Sequence, residues 1–143
     1  MAEVVNEISN WSLFTDLFGD EYDMHDAVIK RFDLNGDELT VVVNTLYQIA
    51  NDKVYDITLK FSKLIRFDYD TELGNDYIDG IYVMRDKTYK NLFSFTFDNV
   101  CLTIECFEIE VISVTESEPF QRGMIWLDNS DQMADNGKMM WRT

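Results

Sequence analysis

Residues 92–114 read LFSFTFDNVCLTIECFEIEVISV, and apolar and polar side chains alternate along most of this stretch. In a strand every second side chain points to the same face, so the alternation groups three phenyl rings: Phe93, Phe95 and Phe97. These rings belong in the middle of a core. The pattern predicts one strand over 92–97 and a longer one over 100–114. Because the apolar positions change phase after Cys106, the longer strand is expected to curl across one sheet or to cross between two.

A hairpin is predicted upstream of these strands. Asn35-Gly36 separates the β-prone runs Ala27–Phe32 and Leu39–Leu46, and Asn-Gly between two such runs is the strongest local hairpin signal. In the second strand of this hairpin Leu39, Val41 and Val43 would face inward, while Thr40 and Asn44 would face solvent.

Three further strand segments are predicted in the middle of the chain. The run Val54–Phe61 alternates like the others, and a change of phase near residues 62–64 predicts a bulge or bend before the pattern continues at Ile65, Phe67 and Tyr69. A short strand around residues 81–84 follows an acidic turn region over 68–80.

One helix is predicted near the N-terminus. Over Ser9–Phe18 the apolar side chains are spaced three and four residues apart, which forms a single stripe: Trp11, Phe14, Leu17 and Phe18. Ser9 or Asn10 is suited to cap the start of this helix, and Gly19 is suited to end it.

These elements define a mainly β protein with a minor α part (α+β). Seven or eight short strands and one N-terminal helix predict an antiparallel β-sandwich or half-open barrel. Residues 1–118 are expected to form a single β-rich domain. Residues 119–143 lose the periodicity and are expected to form a C-terminal extension packed on the same domain.

The charge balance restricts the partners of this chain. Its 143 residues include 27 Asp and Glu against 12 Lys and Arg, for a net charge of -15, yet 46% are hydrophobic, too many for a disordered chain. The acids must therefore decorate a folded surface, which would repel nucleic acid and anionic lipid. We expect no nucleic-acid and no membrane partner. The first residues lack an apolar leader, so we expect a cytoplasmic protein.

Few residues are suited to chemistry. Cys101 and Cys106 would point to opposite faces of a strand and are expected to be two buried thiols without a disulfide. The only histidine, His25, lies near Asp23 and Asp26, but alternation along an extended segment would keep the two carboxylates apart and disfavours a metal site. No serine lies in a nucleophile motif. We therefore expect no enzyme, no cofactor and no metal.

Two segments carry a resemblance to a known family. Residues 22–29, YDMHDAVI, open a strand with His-Asp-Ala, and residues 106–114, CFEIEVISV, form the closing strand. With the aromatic helix before them and the polar hairpin between them, these segments resemble the immunity protein 50 family over Trp11 to Val114. Val28 stands where the family pattern has an acid. The resemblance implies a protein that neutralises a bacterial polymorphic toxin by binding it, and it implies no catalytic residues.

Charge and resemblance together predict an immunity protein that binds a cognate toxin domain, a basic protein such as a nuclease. The expected contacts are acids with neighbouring tyrosines, in two segments: Asp20, Glu21, Tyr22 and Asp23, and Asp68, Tyr69, Asp70, Glu72, Asp76 and Tyr77. Tyr82 is a further candidate for an exposed aromatic contact. Two other functions remain open, a β-sandwich module that binds a small ligand or sugar, and a DNA mimic whose carboxylates imitate phosphates.

Overall fold

A computed structural model describes residues 2–70, 74, 76–86, 88 and 91–121 of the chain. Two short helices precede six strands in these residues: α1 (Ala2–Val5), α2 (Ser12–Phe18), β1 (Val28–Asn35), β2 (Glu38–Asn44), β3 (Val54–Tyr69), β4 (Gly80–Arg85), β5 (Phe93–Asp98) and β6 (Leu102–Ser117). No helix in this described part is long and apolar enough to cross a membrane.

The six strands form one antiparallel sheet in the order β1-β2-β3-β6-β5-β4. The prediction of a mainly β antiparallel fold with a helix near the N-terminus is confirmed. The described residues contain six strands instead of seven or eight, because residues 54–69, on both sides of the predicted bulge, form the single strand β3. Like β6, it is 16 residues long. These two long strands pair with each other along the middle of the sheet.

The sheet curls until its two edges touch at one place. Just before the edge strand β4, the Ile78 carbonyl oxygen accepts a hydrogen bond from the Asp26 N–H at 2.7 Å, and the Ile78 N–H donates to the Ala27 carbonyl oxygen at 2.8 Å. Tyr77 also forms an antiparallel bridge with Val28, the first residue of the other edge strand. Because β1 and β4 are otherwise unpaired with each other, the sheet is not closed.

The core lies inside the curl, where the sequence alternation placed it. The side chains of Phe95 and Phe97 are fully buried and Phe93 is nearly so, as predicted. The ring of Phe95 packs edge-on against Phe61 of β3, with 5.2 Å between ring centroids. Leu39, Val41 and Val43 of β2 are fully buried in the same cluster. Offset and edge-on ring contacts of this kind are preferred over face-to-face stacking.

Register breaks let the two long strands follow the curl. On β3 the pairing shifts between Leu64 and Arg66, and Lys63 has a φ of 55°, which confirms the bulge predicted near residues 62–64. On β6, Cys106 and Ile109 are both buried in the same core. The phase change after Cys106 therefore does not place the second half of β6 in another sheet. At the register break the apolar side chains of both halves come to face one core.

The predicted hairpin joins β1 and β2, with its turn one residue later than expected. Asn35 pairs with Glu38, so the two turn residues are Gly36 and Asp37. Only Gly36 has a positive φ, 64°. A positive φ at the first turn position alone is the requirement of a type II′ turn, which favours glycine there.

The start of α2 differs from the prediction, whereas its end agrees. Trp11 occupies the N-cap position without a side-chain hydrogen bond, so neither Ser9 nor Asn10 caps the helix. Ser9 is instead paired with β6: its N–H donates to the Ile109 carbonyl oxygen and its own carbonyl oxygen accepts from the Val111 N–H, both at 2.9 Å. Gly19 ends the helix with a φ of 84°.

Both cysteines are free thiols, as predicted, but only one is buried. Cys101 lies in the turn between β5 and β6 with a φ of 56°, outside the regular strand that we had assumed, and its side chain is exposed. Cys106 is in the core, and its burial raises the pKa of the thiol to about 12. The Cys106 thiol is therefore protonated and unreactive in the folded protein.

Asn44 is fully buried, although we predicted that it faces solvent. Its amide nitrogen donates to Asp56 Oδ1 at 2.8 Å and to the Glu118 carbonyl oxygen at 3.0 Å. Its amide oxygen accepts from the N–H groups of Leu46 at 3.0 Å and Phe120 at 3.1 Å. Residues 118–120 thus return to cover this position. The rest of the predicted extension, residues 122–143, lies outside the described residues.

Candidate partner-binding surface

Three segments that are distant in sequence converge beside the place where the sheet edges touch. The first is residues 23–26, before β1, and the second is residues 76–80, leading into β4. The third is the turn over 98–101 between β5 and β6. The Asp79 N–H donates to the Asp98 carbonyl oxygen at 3.0 Å, and the Asn99 side-chain amide donates to the Tyr77 carbonyl oxygen at 2.8 Å.

The end of β3 joins the same group of segments. The N–H of Asp70, the residue after β3, donates to the Cys101 carbonyl oxygen at 3.0 Å. The Gly74 N–H then donates back to the Asp70 carbonyl oxygen, also at 3.0 Å. We call the assembled surface the acidic junction and define it by six carboxylates: Asp23, Asp26, Asp70, Asp76, Asp79 and Asp98.

The acidic junction concentrates negative charge. Residues 20–29, 67–80 and 98–103, which supply and flank it, contain no Lys or Arg. The side chains of Asp26 and Asp79 are more than half exposed. Carboxylates grouped on one surface create a local negative potential that attracts cationic groups of a partner.

The first segment is not extended, which corrects our expectation for Asp23 and Asp26. Met24 and Asp26 both have positive φ values, 65° and 64°, so side chains along this segment do not alternate as in a strand. Met24 is fully buried and anchors the segment to the core. The Ala27 N–H closes the turn by donating to the Met24 carbonyl oxygen at 3.0 Å.

His25 lies between two carboxylates on the open surface. Its Nδ1 is 3.0 Å from the Asp79 carbonyl oxygen and 3.3 Å from Asp79 Oδ1, and its Nε2 is 3.6 Å from Asp26 Oδ2. The hydrogen bond to the Asp79 backbone, followed by the charge of Asp26, raises the pKa of His25 above its ordinary value. The protonated form therefore stabilises the fold most at acidic pH, and this contribution is lost as the pH rises through the raised pKa.

The surroundings of His25 do not form a metal centre. In the described part of the chain, no three His, Cys, Asp or Glu side chains are grouped so that they could hold a metal ion. The His25 side chain is 57% exposed, so the imidazole and its two carboxylates lie at the surface and not inside a cleft. The exposed carboxylates of this arrangement are suited to contact with a cationic surface of a partner.

The first predicted contact segment is only partly accessible. Asp20 and Glu21 are exposed on the connection after α2. Tyr22 does not serve as an exposed aromatic contact. Its ring stacks on Phe14 at a centroid distance of 5.8 Å, and its buried hydroxyl group has no hydrogen-bond partner among the residues that the structure describes. Asp23 is half-buried and lies against Gly80.

The second predicted segment adjoins the first. Asp68 is exposed and lies 3.3 Å from Arg66 Nη1. Tyr69 is 40% exposed and packs against Phe32, and Tyr77 is 49% exposed. Asp70 and Asp76 are exposed members of the acidic junction, and Glu72 lies outside the described residues.

Sequence reasoning left three junction acids out of the predicted contact set: Asp26, Asp79 and Asp98. Asp98 continues the polar face of β5 after Ser94 and Thr96, so the alternation itself contained that information. Asp26 and Asp79 are brought together by His25 across segments more than fifty residues apart in sequence, for which there was no local signal.

Gly74 lies against the turn between β5 and β6, and we predict that this position tolerates no side chain. A Cβ added there would lie 2.2 Å from the Val100 carbonyl oxygen, which belongs to the backbone. Gly74→Ala should lower the free energy of unfolding by about 2 kcal/mol, the usual cost of overpacking. Urea unfolding measures this loss.

Gly80→Ala provides the matched control for that prediction. A Cβ at this buried glycine would meet only the Asp23 carboxylate, with Oδ2 at 2.9 Å. A side-chain carboxylate moves more easily than backbone, so Gly80→Ala should cost clearly less than Gly74→Ala. Equal losses of stability for the two variants would contradict our interpretation that the Val100 backbone leaves no space for a side chain at Gly74.

Comparison of the chain with known protein families, curated proteins and solved structures found no match. The resemblance to the immunity protein 50 family therefore stays a prediction, and the case for function depends on the acidic junction itself.

Proposed function

We propose that this chain is an immunity protein, which binds a cognate bacterial toxin domain in the cytoplasm and neutralises it. The toxin domain is a basic protein such as a nuclease. The acidic junction is the observation that carries the proposal, because it gathers six carboxylates from distant segments onto one surface of a chain with a net charge of -15. The proposal assigns the chain no reaction of its own.

Electrostatics would serve such a protein by speeding encounter. Complementary charge steers a basic partner toward an acidic surface and raises the association rate, and salt screens this effect. The attraction is largely independent of detailed fit, so affinity must come from side chains that lose water on contact. Tyr77 beside the junction is one exposed aromatic side chain available for this purpose.

The packing of the core favours this function over the small-ligand alternative. A β module that holds a ligand inside its curl needs an open apolar space. Here the rings of Phe61, Phe95 and Phe97 are fully buried and occupy the interior. The acids of the junction come from separate turns and not from one continuous row, which gives the DNA-mimic alternative less support.

Co-expression tests the proposal. The proposal expects the gene of the toxin domain to lie beside that of this chain. This toxin domain is produced in a bacterium with and without the chain, and growth and complex formation by size-exclusion chromatography are recorded. Protection together with a stable complex is expected. An acidic protein of similar size and net charge serves as the control and should not protect. Absence of both protection and complex with the cognate toxin domain would reject the proposed function.

A further inference from the structure

We propose that the basic toxin domain docks on the outer face of β4 and β5, with Tyr82 and Met84 at the centre of the contact and the acidic junction at one side. This inference rests on the proposed function and adds to it the face that meets the partner. We define the docking face by the outward side chains of the two strands, together with Asp23: Tyr82, Met84, Ser94, Thr96 and Asp98.

The register of the strands places these side chains on one face. Gly80 pairs with Asp98, Tyr82 with Thr96, and Met84 with Ser94, and paired residues in antiparallel strands point the same way. The alternate residues Ile81 and Val83 are buried in the core. The docking face is therefore the side of the sheet turned away from the core.

The centre of this face is exposed and apolar. Tyr82 is 56% exposed and Met84 is 63% exposed, and they are neighbours on the same face of an edge strand. Tyrosine gives a large rigid contact with a polar tip, and methionine adapts its shape to a partner. Such side chains supply most of the binding energy when a partner removes them from water.

Small polar side chains lie next to this pair and leave it accessible. Ser94 and Thr96 follow on β5, and Thr96 Oγ1 is 3.1 Å from Thr103 Oγ1 on β6. Because the side chains of Ser94 and Thr96 are short, they do not cover Tyr82 and Met84. A protruding side chain of a partner can therefore contact both Tyr82 and Met84.

The docking face is continuous with the acidic junction. Gly80 has no side chain, and the Asp23 carboxylate occupies the space where a Cβ at this position would point, at 2.9 Å from Oδ2. Asp98 is the cross-strand neighbour of Gly80 on the same face. Two carboxylates therefore lie on the same sheet face as Tyr82, one residue pair further along.

Two cations of the described residues near this face are engaged by acids. Arg85 forms an ion pair with Glu7 and lies over the Phe93 ring. Arg66 on β3 is held by Glu105 at 3.1 Å and by Asp68 at 3.3 Å. These two cations are thus neutralised, and Asp23 and Asp98 add negative charge to the docking face, which fits a positively charged partner. A second copy of this chain, also at -15, would be repelled.

Paired substitutions test the docking face. The double variant Tyr82→Ala and Met84→Ala is compared with a matched control, Tyr47→Ala and Leu34→Ala, which removes a tyrosine and an aliphatic side chain of similar exposure, 55% and 52%, elsewhere on the surface. Binding of the cognate toxin domain is measured by surface plasmon resonance. We expect the first variant to raise Kd about 30-fold, mainly through faster dissociation, and the control to change it less than about 2-fold.

Hydrogen exchange of the complex supplies a second measurement that needs no substitution. Amide protection gained on binding should include residues 80–85 and 94–98. If the wild-type complex forms while the Tyr82 and Met84 variant binds normally and these amides gain no protection, the docking face is wrong and the proposed function stands. If the wild-type chain forms no complex with the toxin domain, both are wrong. Self-association of the free chain through this face would also overturn the inference.

Discussion

Asn44→Ala is expected to lower the free energy of unfolding by about 3 kcal/mol, a large share of the stability of a small domain. The side-chain amide makes four hydrogen bonds in a fully buried position. Truncation leaves the N–H groups of Leu46 and Phe120 without their acceptor, and an unsatisfied buried donor costs more than the net value of the bond that it lost.

Asn44→Asp should be at least as damaging at neutral pH. The new carboxylate would still accept from the two N–H groups, but it would have no proton to donate to the Glu118 carbonyl oxygen and would face the carboxylate of Asp56. Lys30, at 2.6 Å from Asp56 Oδ2, offsets only part of this repulsion. Unfolding in urea, followed by tryptophan fluorescence and circular dichroism, measures both losses.

Asn35→Asp is the matched control for Asn44→Asp. The same chemical change is made at an exposed position beside the hairpin turn, where aspartate is well tolerated. It should change stability by less than about 0.5 kcal/mol. If the Asn44 variants unfold at the same urea concentration as the control, the network around Asn44 contributes nothing and our interpretation of it is wrong.

Neutralising the acidic junction is expected to slow association with the basic toxin domain that we propose as the partner, about 10-fold or more at low salt. The variant combines Asp23→Asn, Asp79→Asn and Asp98→Asn, which retain side-chain volume and remove three charges. The expected cause is the loss of electrostatic steering, so the dependence of the association rate on salt should weaken as well. Stopped-flow or surface plasmon resonance between low and physiological salt provides both quantities.

A second triple variant separates local charge from total charge. Asp37→Asn, Glu38→Gln and Asp52→Asn change the net charge by the same amount, at exposed positions on the hairpin turn and the connection after β2. We expect a clearly smaller effect on association. Equal slowing by the two triple variants would show that the whole chain attracts the partner, and the acidic junction would lose its special role.

The strands could be predicted because their signals are local. Alternation at Phe93, Phe95 and Phe97 and the Asn35-Gly36 turn are each contained within a few residues, and a burial preference at every second position decides which face packs inward. The bulge near residue 63 was visible for the same reason, since a change of phase in the pattern must be absorbed somewhere in the strand.

The wrong predictions have a different origin. The burial or backbone conformation of the residues concerned depends on contacts with other parts of the chain, which the local sequence does not show. Asn44 has the polarity of a surface residue, and only residues 118–120 passing over it make it a buried one. The prediction for Asp26 assumed an extended backbone, whereas anchoring of Met24 in the core accompanies two left-handed residues in that segment. Tyr22 lies beside acids in sequence, yet its ring packs against Phe14 and Phe18 of α2.

Only part of the acidic junction could be predicted from the sequence. Both acidic segments were chosen from composition, but their contact with each other depends on backbone hydrogen bonds between residues 26–27 and Ile78, and no pattern in either segment encodes that pairing. The alternation along β5 already gave the polar face of Asp98, but its position beside the other acids required knowing that β4 and β5 lie side by side.

Four hydrogen bonds of the acidic junction join backbone atoms from different segments of the chain: Asp26 with Ile78, Ile78 with Ala27, Asp79 with Asp98 and Asp70 with Cys101. Backbone atoms are the same whatever residue is present, so most side chains there can be exchanged at little cost to folding. Under the proposed function, substitutions at these positions could therefore follow changes in the surface of the toxin, while the backbone hydrogen bonds beneath them are kept.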